Sequence, residues 1–115
     1  MARANDNYAR IWKVIAGIPR GRVSTYGRIA ERAGFPHGAR MTAQALRAAP
    51  AKLRLPWHRV LNAQGRIAIP ENSPSRARQR ALLEREGVAF VNGRVSLERY
   101  GWQTSLDAML WRVED

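Results

Sequence analysis

The chain has 115 residues with no cysteine and two histidines, which excludes a disulfide framework and the common zinc arrangements and leaves no metal or cofactor implied. Its length suits a single domain over residues 1–115, and the polar stretch Met1–Arg10 with no long apolar run anywhere points to a cytoplasmic protein without a membrane span. The formal net charge of +11, carried by eighteen Arg and two Lys against nine acids, points to a polyanionic partner, because the forked guanidinium grips phosphate oxygens in pairs.

Tyr8, Ile11, Trp12 and Ile15 recur at i, i+3, i+4 and i+7, so a first amphipathic helix is expected there, capped by Asn5 or Asp6 and ended by Gly17 and Pro19. Ser24-Thr25 open a second short helix with Tyr26, Ile29, Ala30 and Ala33 on one side, closed by Gly34 and Pro36. A third helix is expected from about Gly38 to Ala48, stopped by Pro50. The short link Gly34-Phe35-Pro36-His37 makes the pair a helix-turn-helix. Residues 51–72, punctuated by Pro56, Gly65 and Pro70, read as irregular, with at most a short strand. Ser73-Pro74 start a fourth helix that runs to Glu86 and stops at Gly87. Residues 88–97 read as a β-hairpin, since Asn92-Gly93 supplies the two positive φ values of a type I′ turn. Finally Thr104-Ser105-Leu106-Asp107 reads as a capping box before a last helix with the stripe Leu106, Met109, Leu110 and Val113. The expected fold is mainly α, a winged helix-turn-helix DNA-binding domain with a small β-hairpin wing.

The charge is unevenly spread. From Arg20 to Arg59 eight Arg and Lys52 stand against one acid, Glu31, whereas Asp107, Glu114 and Asp115 outnumber Arg112 in the tail. The helix-turn-helix region is thus the expected nucleic-acid face.

Four segments carry a family resemblance: Val23-Ser24-Thr25-Tyr26-Gly27, Gly38-Ala39-Arg40, Pro56-Trp57-His58-Arg59-Val60 and Leu82-Leu83-Glu84-Arg85-Glu86-Gly87. In this order and spacing, over roughly residues 8 to 102, the chain resembles the C-terminal DNA-binding domain of the O6-alkylguanine-DNA alkyltransferases. Trp57 stands where those enzymes carry their nucleophilic cysteine, and in this the chain resembles the alkyltransferase-like proteins. An indole is a poor nucleophile, but its large π face is a platform on which a base can stack.

The resemblance implies a set of roles. Tyr26 sits beside the phosphate of the target nucleotide and helps rotate it, although by itself it also reads as the first apolar anchor of its helix. Arg40 matches the arginine that enters the base stack, whereas a lone Arg on a basic helix is more often a phosphate contact. The third helix lies in the minor groove, where the small side chains of Ala39, Ala43 and Ala45 allow close approach and Arg47 joins the DNA contacts. Met41 is bulkier than expected there, either a wedge or an inward-packing residue. The extruded base would occupy a pocket made by Tyr26, Trp57, Val60, Ile69, Pro70 and Glu71, with backbone groups near Val60 and in the loop 66–71 reading its edge. That loop departs from the small, Gly-rich one of the enzymes. His58 and Glu86 match the pair that activates the cysteine and are expected here as structural remnants that tie the motif loop to the fourth helix, with Arg59 buried or salt-bridged rather than contacting the ligand. Ala49 replaces an Asn that braces the enzymes' active-site turn.

The expected function is therefore a non-enzymatic sensor, a monomer, that binds O6-alkylguanine in duplex DNA, flips it, and directs the site to nucleotide excision repair proteins. A winged-helix transcriptional regulator that binds specific DNA sequences is the alternative. An active alkyltransferase with another acceptor lacks a residue to replace the thiol, and a hydrolase built on His58 and Glu86 is the remotest option.

Overall fold

The computed structural model describes residues 2–102, with side chains from Asp6 onward. The last helix expected around Leu106–Val113 and its capping box lie outside the described residues. No described helix is long and apolar enough to cross a membrane.

Helix α1 spans Ala2–Ala16. It starts before the expected cap, so Asn5 and Asp6 lie inside it; Ala2, Arg3 and Ala4 are strong helix formers and carry the helix back toward the N-terminus. The helix-turn-helix is α2 (Tyr26–Arg32) and α3 (Ala39–Ala48). Thr25 caps α2 by accepting a hydrogen bond from the Arg28 N–H. Helix α4 spans Pro74–Arg85 with Ser73 as cap and Pro74 in the first turn.

The region expected to be irregular holds two 3₁₀ turns, Ala51–Leu53 and Trp57–Arg59, and a strand. That strand, β2 (Val60–Leu61), pairs in parallel with β1 (Ser24–Thr25), Ser24 opposite Val60 and Thr25 opposite Leu61. The hairpin is shorter than expected: β3 (Phe90–Val91) and β4 (Arg94–Val95) pair around Asn92 and Gly93, at φ 53° and 76°. Ser96 then leaves the strand to cap a short helix, α5 (Leu97–Tyr100), by accepting from the Arg99 N–H. The chain thus adopts the mainly α, helix-turn-helix architecture with a small hairpin wing.

Two apolar clusters meet at β2. Ile11, Ile15, Ile18, Ile29, Ala33, Ala45 and Val60 form one, beneath the helix-turn-helix. Val23, Leu61, Ile67, Leu83, Val88 and Val95 form the other, between α4 and the hairpin. Successive strand residues point to opposite faces, so Val60 enters the first cluster and Leu61 the second. The turn that carries Trp57 therefore runs directly into a strand anchored in both cores.

Candidate nucleic-acid interface and base pocket

Helix α3 is fixed by its inward face. Thr42 is fully buried and donates its hydroxyl to the Tyr26 carbonyl at 3.0 Å, which joins α3 to the first turn of α2. The indole of Trp12 donates to the Ala45 carbonyl at 2.7 Å, which joins α3 to α1. These bonds leave Ala39, Arg40, Gln44 and Arg47 exposed. No hydrogen bond or ion pair among the described residues engages the Arg40 side chain. Ala45 is wholly buried, so it does not serve the close approach to a groove expected of it; a residue three after Thr42 shares its inward face. Met41 is half-buried and packs against the first core.

A hollow of about 530 Å³ opens beside this helix. Its walls are Tyr26 from α2, Ala43, Leu46 and Arg47 from α3, Trp57 from the 3₁₀ turn, Ala68, Ile69 and Pro70 from the following loop, and Gln79 from α4. The structure thus brings together Tyr26, Trp57, Ile69 and Pro70 of the expected pocket. Val60 and Glu71 are not in its walls. The Val60 side chain is 1% exposed in the first core, and its carbonyl accepts from Gln79 at 2.9 Å. Glu71 instead lines a separate, smaller hollow with Ser73, Arg76 and Phe90. Tyr26 packs against the first core, as an apolar anchor of its helix would, and also walls the hollow. Burial raises its phenol pKa, against the opposing effect of Arg47, so the hydroxyl stays protonated and able to donate.

Gln79 was not anticipated. Its amide donates to the carbonyls of His58 at 3.1 Å and Val60 at 2.9 Å, so one side chain of α4 clamps the end of the Trp57 turn. The signal was its spacing: Gln79 lies four residues before the buried Leu83, and a polar residue on the buried stripe of a helix needs partners. Arg76 holds the other rim, donating to the carbonyls of Ile67 and Ile69 at 3.3 and 2.8 Å.

Behind the turn, Glu86 ends α4 and gathers four N–H donor groups around its carboxylate. Oε1 accepts from the Gly21 N–H at 3.1 Å and from Arg59 Nε at 3.0 Å; Oε2 meets Arg59 Nη2 at 2.7 Å and His58 Nε2 at 2.8 Å. Gly21, at φ 82°, turns its N–H toward the carboxylate in a conformation that favours glycine. Burial alone would raise the Glu86 pKa, but the bonds from Arg59, His58 and Gly21 outweigh it and bring it down to about 2. A carboxylate so held is a weak base. Arg59 also donates to the Ile18 carbonyl at 2.8 Å, so the cluster ties the Trp57 turn, α4 and the exit of α1 into one unit.

A family profile described as 6-O-methylguanine DNA methyltransferase, DNA binding domain, matches residues 6–88. The chain belongs to this family, as one of its alkyltransferase-like members. This alkyltransferase-like chain is 43% identical over 94 residues to the DNA base-flipping protein of Escherichia coli (strain K12), covering 81% of itself and 71% of that protein. It is 36% identical over 110 residues to alkyltransferase-like protein 1 of Schizosaccharomyces pombe, covering 96% and 98% of the two chains. Its fold matches the Schizosaccharomyces pombe protein in complex with damaged DNA containing O6-carboxymethylguanine at a TM-score of 0.78 and 34% identity, over 87% of this chain and 97% of that one.

Proposed function

We propose that this alkyltransferase-like protein binds O6-alkylguanine in duplex DNA, rotates the base out of the helix and holds it against Trp57 without taking the alkyl group. The observation that carries this reading is the position of Trp57: an indole, in a chain without cysteine, walls a hollow that opens beside α3. Extruding a base costs a few kcal/mol, less where alkylation has already weakened its pairing, and stacking on an aromatic face returns about 1–3 kcal/mol. Arg40, exposed and uncommitted at the start of α3, is the group to fill the vacated place in the stack.

Support comes from the relatives, one named for base flipping and another seen on DNA with an O6-substituted guanine. A protein that holds a lesion and leaves it intact needs a downstream process, and nucleotide excision repair, which removes the damaged strand segment, is the one we assign.

Fluorescence anisotropy at near-physiological salt tests the reading on two duplexes that differ in one base, O6-methylguanine or guanine. A clear preference for the lesion is expected, together with an unchanged protein mass after incubation. Equal affinity would leave a basic DNA binder read by sequence, and a stable mass increment would make the protein an alkyl acceptor.

A further inference from the structure

Trp102 is the last described residue, and three contacts fix where it sits. Its backbone N–H donates to the Val23 carbonyl at 2.8 Å, the Arg32 guanidinium lies 3.7 Å from the centroid of its ring, and its indole packs on Gly17, where a Cβ would meet it at 3.3 Å. Gly17 follows Ala16, and Ala16 is one edge of a second hollow, of about 830 Å³, set between the ends of α1 and α3, the segment from Pro50 to Arg59, and Arg78 of α4. The chain therefore leaves the described fold beside this hollow.

The hollow is apolar and basic. Leu46, Leu55 and Trp57 are among its apolar walls, and four basic residues line it with no acid. Two of them, His58 and Arg59, are committed to Glu86. The other two, Arg54 and Arg78, are exposed, and their side chains make no hydrogen bond or ion pair among the described residues. Leu53, immediately before Arg54, is 40% exposed. Two cations without an acid, beside uncovered apolar surface, suit an occupant that brings both apolar side chains and carboxylates.

Residues 103–115 have that composition. They carry Leu106, Met109, Leu110 and Val113 together with Asp107, Glu114 and Asp115, against a single cation, Arg112, in a chain whose net charge is +11. A segment of this length reaches roughly 20 Å even if wound into a helix and roughly 40 Å if extended, so reach does not limit it. A short tether also holds its segment at an effective concentration on the order of millimolar, so the contact forms at an affinity too low to retain a separate partner.

We propose that residues 103–115 dock back into this hollow, their apolar side chains against Leu46 and Leu55 and their carboxylates paired with Arg54 and Arg78. The hollow is then an intramolecular docking site, and two cations near the Trp57 turn are neutralised from within the chain. Neither step depends on a base being held at Trp57.

A chain without cysteine accepts a single introduced label cleanly. The full chain with Ala108→Cys carries a nitroxide spin label, and its amide NMR signals are compared with the label oxidised and reduced. The amides of Ala49, Ala51, Leu55 and Arg78 should broaden, while those of Arg40 on α3 and Val91 on the wing keep their intensity. When Arg54→Gln and Arg78→Gln are added, with the fold checked by the same amide spectrum, the broadening at Ala49, Ala51 and Leu55 should fall. Broadening that persists undiminished in that variant overturns the charge pairing and the proposal with it. Broadening confined to the residues around Trp102 leaves the hollow to a separate partner and overturns the docking, as does broadening centred on Arg40, which would place the segment on the outer face of α3. With the spin label and the isotope label on different molecules in a mixture, the broadening should vanish; its persistence assigns the hollow to a second copy of the chain and overturns the intramolecular contact.

Discussion

Arg59 holds both oxygens of Glu86, its Nε at 3.0 Å from Oε1 and its Nη2 at 2.7 Å from Oε2. Glu86 follows the last turn of α4, where the helix dipole disfavours a negative charge, and its side chain is only 6% exposed. The carboxylate survives there because the two-point ion pair, His58 and the Gly21 N–H surround it.

A pH dependence of stability follows. The folded pKa of Glu86, about 2, lies below its ordinary 4.5, so the stabilisation is complete above about 4.5 and is lost as the pH falls toward 2. With partial screening by solvent, about 2 kcal/mol should disappear across that window. Urea denaturation midpoints between pH 6 and pH 2 measure it, and Glu86→Gln should be less stable at pH 6 and show a flatter acid limb. An identical acid limb in the variant would contradict the assignment.

Gln79→Leu should destabilise the fold even though leucine fits a buried helix face. It leaves the carbonyls of His58 and Val60 without their partner, at about 1–3 kcal/mol for each buried group left unpaired. Because both carbonyls belong to the turn of Trp57, lesion preference should weaken even at temperatures where the variant remains folded. Denaturant titration and anisotropy together check the two effects; normal stability would show that water replaces the amide.

Trp57→Ala should remove the stacking face and cut affinity for the lesion duplex by about 5- to 150-fold, the equivalent of 1–3 kcal/mol, with little change on undamaged DNA. Trp57→Phe keeps a ring in the hollow and should lose much less. Equal losses on both duplexes would place Trp57 in general DNA contact.

Arg40→Ala should weaken lesion binding by more than about tenfold, whereas loss of an ordinary phosphate contact lowers the salt slope by about one and affects all sequences alike. Arg40→Lys keeps the charge and loses the planar fork, so it should not rescue the lesion preference. A lysine variant indistinguishable from the original chain would reduce Arg40 to a point charge.

What the sequence by itself determined is mostly local. The Asn92-Gly93 turn, the Thr25 and Ser73 caps and the stop at Gly87 depend on residues a few positions apart, and each was legible because those conformations are selected by the chain's own sterics and hydrogen bonds. The motif around Trp57 was equally legible, since it is contiguous. Tertiary structure decided which way these residues face. Parallel pairing of β2 with β1, 36 positions earlier at Ser24 and Val60, sends the Val60 side chain into the core and out of the pocket. Packing of α3 on α1 and α2 turns Ala45 inward and keeps Arg40 outward, and only the approach of α4 makes Gln79 a clamp and brings Arg78 to a hollow with Arg54. Such relationships join residues distant in the chain, and their orientation is set by burial and by the need of each buried polar group for a partner, which no local pattern encodes.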